Sequence, residues 1–157
     1  MADHHYTECG LQNVYISGIN RMLDDDGDEV IQILAVNSLH KVIAEGIVSH
    51  RKGMHGFELR FLRSEMGYTQ SELAALVHRD KQSIGRWERS ETEIDSIAEA
   101  VIRKLAIEKL LLRVELGMEQ LTKRSVPTAE VQLINITVGV DGYALKAANR
   151  TVTSFSP

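Results

Sequence analysis

Lys81, Gln82, Ser83 and Arg86 lie within six residues of one another, directly after Asp80. Side chains of these types read DNA. In the major groove, lysine or arginine donates to O6 and N7 of guanine, and glutamine matches the donor–acceptor pair of adenine. On a helix these residues occupy its start and one polar face. Ile84 and Trp87, three residues apart, then turn the other way into a core. Trp87 is read as a core anchor rather than a base-stacking residue. The bland alternative is a pair of helices used only for packing. Recognition is favoured because capping, core and polar positions agree throughout residues 69–88.

Several elements must hold that face in place. Thr69 caps a first helix and Glu72 completes a capping box with it. Leu73, Ala74, Leu76 and Val77 supply its apolar side, and Ala74 is small where a second helix crosses. His78 and Arg79 make the turn, and Asp80 caps the second helix, which runs to about Arg89. Gln70, at the start of the first helix, is placed for a phosphate contact, because free amides and the helix dipole favour anions there. A preceding helix is expected at 55–66, with Phe57, Leu59, Phe61 and Leu62 on its apolar side and Gly67 closing it. Ser96 and Glu99 form a further capping box, predicted to open a long helix to about Gly117. Its apolar set (Ile97, Val101, Ile102, Leu105, Ile107, Leu111, Leu112 and Leu116) is wider than one stripe. It therefore serves ordinary packing or a dimer seam.

The flanks read differently. Val14–Ile16 and Ile31–Val36 are short β-branched runs separated by Asp24-Asp25-Asp26-Gly27-Asp28, which predicts a hairpin. Asn37 is expected to cap a helix over 38–50 carrying Leu39, Val42, Ile43 and Ile47. Near the other end, Thr122–Ser125 and Pro127 mark a boundary. A strand over Val131–Val138 and the Asp141-Gly142 turn predict a second hairpin through Tyr143 and Leu145, with a polar tail from Ala148. The predicted architecture is mainly α with small β appendages. An N-terminal hairpin-plus-helix segment spans 1–52, a helical DNA-binding domain 53–125, and a C-terminal hairpin and tail 126–157.

Composition narrows the function. The net charge of −4 argues against nucleic acid, but its distribution does not. Residues 1–50 carry two basic and eight acidic side chains, residues 51–90 eight and five, and residues 91–157 eight and nine. The only positive segment is the one bearing the reading face, and salt confines each charge's reach to about 8–10 Å. One cysteine, Cys9, excludes an intrachain disulfide and a zinc ribbon. The Asp24–Asp28 run lacks the glycine and glutamate of a calcium loop, and His4, His5 and Cys9 lack further ligands, so no metal is expected. His40, His50 and His55 are read as surface or interhelical residues. No Ser/His/Asp or Cys/His grouping and no glycine-rich phosphate loop appears, so neither an enzyme nor a cofactor is expected. No apolar run approaches a membrane span and the N-terminus lacks signal-peptide character, so a cytoplasmic protein is expected.

The run from Gln70 through Glu72-Leu73-Ala74 to Gln82-Ser83-Ile84 and Arg86-Trp87-Glu88 resembles the Cro/C1-type (XRE) family over roughly residues 56–112. The resemblance implies a compact lambda-repressor-like bundle of about five helices that dimerises on a palindromic operator, with the second helix of the motif in the major groove. It places Gln70 on phosphate, Lys81, Gln82 and Arg86 on bases, and Arg89 on the DNA backbone. It implies a structural ion pair between Arg63 and Glu88. Three positions depart from the pattern. His78 stands where the family has glycine, and Arg79 where it has an apolar plug. Gly85 sits inside the reading helix at a cost of about 1 kcal/mol relative to alanine. Either the bare backbone at Gly85 approaches DNA closely or the glycine is simply tolerated.

The stretches FELRFLRSEMGYTQSELA and IGRWERSETE are also similar to the antitoxin branch of that family, which includes the DNA-binding halves of MqsA- and HigA-type proteins. In MqsA-type proteins a zinc-binding N-terminal domain grips a toxin. The N-terminal segment here is of similar size but lacks the four cysteines, so zinc is not implied. The leading expectation is a sequence-specific repressor acting as a homodimer on double-stranded DNA. The alternative is an antitoxin whose acidic N-terminal segment binds a basic toxin while the protein represses its own operon.

Overall fold

The computed structural model describes residues 3–147, which form six helices and two small sheets, a mixed α/β architecture. The tail expected from Ala148 lies outside the described residues. In chain order the elements are β1 (His4–His5), β2 (Val14–Ser17), β3 (Asn20–Leu23), β4 (Glu29–Gln32) and α1 (Val36–Val48). There follow α2 (Gly56–Met66), α3 (Gln70–Val77), α4 (Lys81–Glu88), α5 (Ser96–Lys109), α6 (Met118–Arg124), β5 (Ile134–Gly139) and β6 (Gly142–Leu145).

The two ends of the chain meet in one sheet, ordered β1-β2-β5-β6. β2 and β5 run parallel with Val14 opposite Ile134 and Ile16 opposite Ile136, and all four side chains are buried. Parallel strands need a long crossover, and here the crossover contains every helix. α1 lies against this sheet through Leu39, Ile43 and Ile47. The approach is close enough that a Cβ on Gly46 would stand 2.8 Å from Ile134 Cγ2. The N-terminal segment is tied down by a polar chain: the Tyr6 hydroxyl lies 3.1 Å from His40 Nε2, and His40 Nδ1 lies 3.3 Å from Glu65 of α2.

Several expectations for the flanks are corrected. The first hairpin forms, but between β3 and β4 rather than between Val14–Ile16 and Ile31–Val36. The Asp24 carboxylate builds its turn by accepting from the amides of Asp26 (3.0 Å) and Asp28 (2.9 Å). Val14–Ile16 is too apolar to stay on an exposed ribbon and goes to the central sheet. Asn37 is not the cap of α1. The helix starts two residues earlier, at Val36, after Ala35 in the left-handed region (φ 53°). The Asp141-Gly142 turn joins β5 to β6 as expected, although Val131 and Leu133 precede the strand and are exposed.

The long helix predicted over 96–117 is one helix, α5, and an extended link that leads into α6. α5 is capped by Asp95, which accepts from the Ala98 amide (2.9 Å), and not by a Ser96–Glu99 box. It ends near Leu110, and Leu111 turns left-handed (φ 53°). Beyond it Leu112, Val114 and Leu116 are buried while Leu111, Arg113 and Glu115 are exposed. That alternation has period two, the signature of extended chain. Gly117 then caps α6, whose Gln120 Oε1 accepts from the Gly117 amide (2.8 Å).

A buried polar hub fixes the loop between α1 and α2. Arg103 of α5 is fully buried. It donates to Glu99 Oε2 (2.6 and 3.0 Å) and to the carbonyls of His50 (2.8 Å) and Lys52 (2.6 Å), and Glu99 Oε2 also accepts from the Met54 amide (3.1 Å). Beside it, Glu58 accepts from His50 Nε2 (2.6 Å), the Asn13 amide (3.0 Å) and the His55 N–H (2.9 Å). Of the surface and interhelical readings, His50 takes the interhelical one, buried between the end of α1 and α2. Burial pushes the Glu58 carboxyl up, but the His50 hydrogen bond and charge, the His55 amide and the Asn13 amide pull harder, and its pKa ends below the ordinary glutamate value. A carboxylate lowered on folding contributes stability above its unfolded pKa of about 4.3, which is lost as pH falls through the folded value. Thermal melts between neutral and strongly acidic pH are expected to show that loss, with a shallower dependence for Glu58→Gln. An identical pH profile for the variant would remove Glu58 from the account.

Candidate nucleic-acid interface

α3 and α4 are short, and their ends hold them. The Thr69 hydroxyl accepts from the Glu72 amide (3.1 Å), while Glu72 Oε1 accepts from the Thr69 amide (2.8 Å). Asp80 Oδ1 accepts from the Ser83 amide (2.7 Å), which starts α4. Hydrogen bonding from the Ser83 hydroxyl, and then from its amide, holds the Asp80 carboxyl below its ordinary pKa. His78 takes the left-handed turn position (φ 57°), which histidine tolerates better than most side chains. Arg79 does not plug the core. It reaches outward to Asp95 Oδ2 (3.1 Å), the residue that caps α5, and so links the turn to the next helix.

α4 is sharply two-sided. Ile84 is fully buried and Trp87 nearly so, while Lys81, Gln82 and Arg86 are exposed and Ser83 is half-buried. Among the described residues, the side chains of Lys81, Gln82 and Arg86 make no hydrogen bond or ion pair, so their donors are available to a ligand. Gly85 is buried under the chain's own Arg89. A Cβ there would lie 3.0 Å from the Arg89 guanidinium, which in turn pairs with Glu91.

Glu88 is the point where three helices join. Arg63 of α2 holds it in a forked pair, Nε at 2.6 Å and Nη2 at 3.0 Å, and its Nη1 donates to the Tyr68 carbonyl (3.0 Å). Gln70 of α3 donates from Nε2 to Glu88 Oε1 (3.0 Å). The forked geometry fixes the guanidinium in one plane. With three donors on one largely buried carboxylate, α4 cannot rotate about its axis without breaking the set. The Gln70 side chain is therefore directed at Glu88, at the N-terminus of α3 beside the reading face.

The structure thus brings Arg63, Gln70 and Glu88 into one cluster and leaves Lys81, Gln82 and Arg86 together on the free side of α4. Arg89 lies at the far end, engaged with Glu91. Sequence reasoning missed Gly56, the first residue of α2. A Cβ there would stand 2.1 Å from the Trp87 carbonyl oxygen and 2.8 Å from that of Glu88. Only glycine lets the start of α2 meet the end of α4. A glycine at a helix N-terminus carries no signal that separates close approach from simple tolerance. Among the described residues, no group of three or more His, Cys, Asp or Glu could hold a metal, and no helix is long and apolar enough to cross a membrane. Comparison with known proteins returned no match, whether among family models, curated proteins or solved structures.

Proposed function

We propose that the protein is a sequence-specific DNA-binding regulator, a repressor that acts as a homodimer on a palindromic site. In this reading α2 to α5 and the chain after them form the helical bundle, α3 and α4 are its helix-turn-helix, and α4 enters the major groove. The observation that carries the reading is the two-sided α4. Lys81, Gln82 and Arg86 stand exposed with their donors free, on a helix locked by Ile84, Trp87 and the Arg63–Glu88–Gln70 cluster. A reading helix needs both properties, because base contacts specify only when the backbone that presents them is fixed. The similarity of residues 56–112 to Cro/C1-type proteins points the same way.

Binding to the protein's own upstream promoter fragment, at two salt concentrations and against a scrambled duplex, tests the proposal. Promoter binding that exceeds the control and survives high salt is expected, since phosphate contacts alone weaken steeply with salt. Equal, weak binding to both duplexes would reduce α3 and α4 to a scaffold. Arg86→Ala is expected to cost about 1–3 kcal/mol and to relax specificity at one base pair. A uniform loss on every duplex would assign Arg86 to phosphate instead. Gln70→Ala is expected to weaken all sites alike, through its phosphate contact and its hold on Glu88.

A further inference from the structure

The resemblance to Cro/C1-type proteins assigns Arg89 to the DNA backbone, but its surroundings fit a different role. At about 100° per helical residue, positions 81, 82, 85, 86 and 89 fall within roughly 140° of one another. Arg89 thus shares the face of Lys81, Gln82 and Arg86, away from the buried Ile84 and Trp87. Its side chain folds back along that face by one turn. A Cβ on Gly85 would lie 3.0 Å from Nη1, 3.7 Å from Cζ and 3.8 Å from Nη2 of Arg89. The guanidinium therefore fills the space that a side chain at position 85 would take, among the three reading residues.

Glu91 provides a second hold. Its carboxylate accepts from Nε of Arg89. The backbone of Glu91 is itself fixed, because its amide donates to the Arg86 carbonyl (2.9 Å) and the Ser90 amide to the Trp87 carbonyl (3.0 Å). With Ser90 left-handed (φ 59°), these two bonds form a Schellman cap on α4. The conformation is uncommon for serine. It bends the chain so that Glu91 returns to the side chain of Arg89. Among the described residues, Nη1 and Nη2 of Arg89 make no hydrogen bond.

We propose that Arg89 reads a guanine in the major groove, and that Glu91 is the positioning residue that aims it. The carboxylate decides between the two roles. A phosphate contact draws its strength from charge. Glu91 cancels that charge within the pair and itself repels phosphate. A base contact draws on geometry, which the Gly85 notch and the Glu91 carboxylate supply. The two free Nη donors match O6 and N7 of guanine, the commonest specific contact of arginine. The inference rests on the DNA-binding reading and adds a reader to Lys81, Gln82 and Arg86.

The test measures binding of the full chain to the promoter fragment, to a scrambled duplex, and to promoter duplexes with single base pairs changed in turn. Arg89→Lys keeps the charge and removes the fork. It is expected to lower the promoter-to-scrambled affinity ratio about tenfold and to remove a guanine preference at one base pair of each half-site. That base pair differs from the one relaxed by Arg86→Ala. Glu91→Gln keeps Arg89 but releases it. It is expected to lower the same preference about threefold or more, while binding to the scrambled duplex tightens and its salt slope steepens by about one. Both side chains are exposed (62% and 52%), so both variants are expected to fold. An Arg89→Lys protein with every base preference intact would overturn the proposal. So would a Glu91→Gln protein that tightens on promoter and scrambled duplex by the same factor, which returns Arg89 to phosphate. A wild type that discriminates through Arg86 but not through Arg89 sinks this assignment alone. A wild type that binds both duplexes alike sinks the DNA reading, and the assignment with it.

Discussion

Arg103→Ala is expected to destabilise the protein by about 3–5 kcal/mol, the cost of leaving a buried ionic group without its partner. Arg103 is fully buried and holds Glu99 together with the backbone carbonyls of His50 and Lys52. Removing the guanidinium strands a buried carboxylate and strips those carbonyls of a donor in a site too tight for bulk water. Chemical denaturation followed by the fluorescence of Trp87, the single tryptophan, gives the number directly. The double variant Arg103→Met with Glu99→Leu is expected to recover much of the loss, because replacing both charges by apolar groups removes the desolvation penalty as well. A loss below about 1 kcal/mol for Arg103→Ala would mean that water reaches the hub and that the loop between α1 and α2 is held by something else.

Gly56→Ala is expected to cost about 3 kcal/mol, toward the upper end for overpacking, because the atoms it strikes belong to the backbone of α4 and have no rotamer to change. A Cβ at 2.1 Å from the Trp87 oxygen forces α2 and α4 apart. The Arg63–Glu88 fork spans the same two helices, so the displacement is expected to turn the Lys81–Arg86 face and to cost promoter discrimination more than general DNA affinity. Gly85→Ala is the contrasting case. Its Cβ meets only the movable end of Arg89, and alanine in a helix gains about 1 kcal/mol over glycine. Denaturation curves and promoter binding for the two variants side by side check both statements. A Gly56→Ala protein as stable as the wild type would refute the contact. A Gly85→Ala protein of raised stability but lost DNA binding would give Gly85 a role in close approach to the duplex.

Much of the helical middle was legible because its signals are local. A cap and its capping box act over three residues. The left-handed turn at His78 and the glycine closing α2 are likewise decided by neighbours in the chain. The same holds for the face of α4, where Ile84 and Trp87 name the inside and Lys81, Gln82 and Arg86 the outside. The 96–117 segment failed for an instructive reason. Its alternating burial from Leu111 to Leu116 was present in the residues, but a helical apolar pattern reads on into the next residues when no glycine or proline interrupts it. Glu99 was read as half of a cap, yet it is a buried partner of Arg103, and a Glu four residues before an Arg looks the same in either role.

What the residues determined by themselves is therefore what short-range physics settles: the ends of α2, α3 and α4, the two-sidedness of α4, the β5–β6 turn and the acidic bend at Asp24–Asp28. Each depends on a hydrogen bond or a backbone angle within a few residues. What only the tertiary structure decided depends on partners far apart in the chain. β2 and β5, some 120 residues distant, pair because both are apolar and neither can stay exposed. The β3–β4 ribbon pairs only with itself among the described strands, although half of its strand residues are apolar. The hub at Arg103 exists because three distant backbone carbonyls, those of Val48, His50 and Lys52, converge with Glu99 on one guanidinium. No periodicity along the chain encodes convergence of that kind, since it follows from how the helices stack once the apolar faces have been buried.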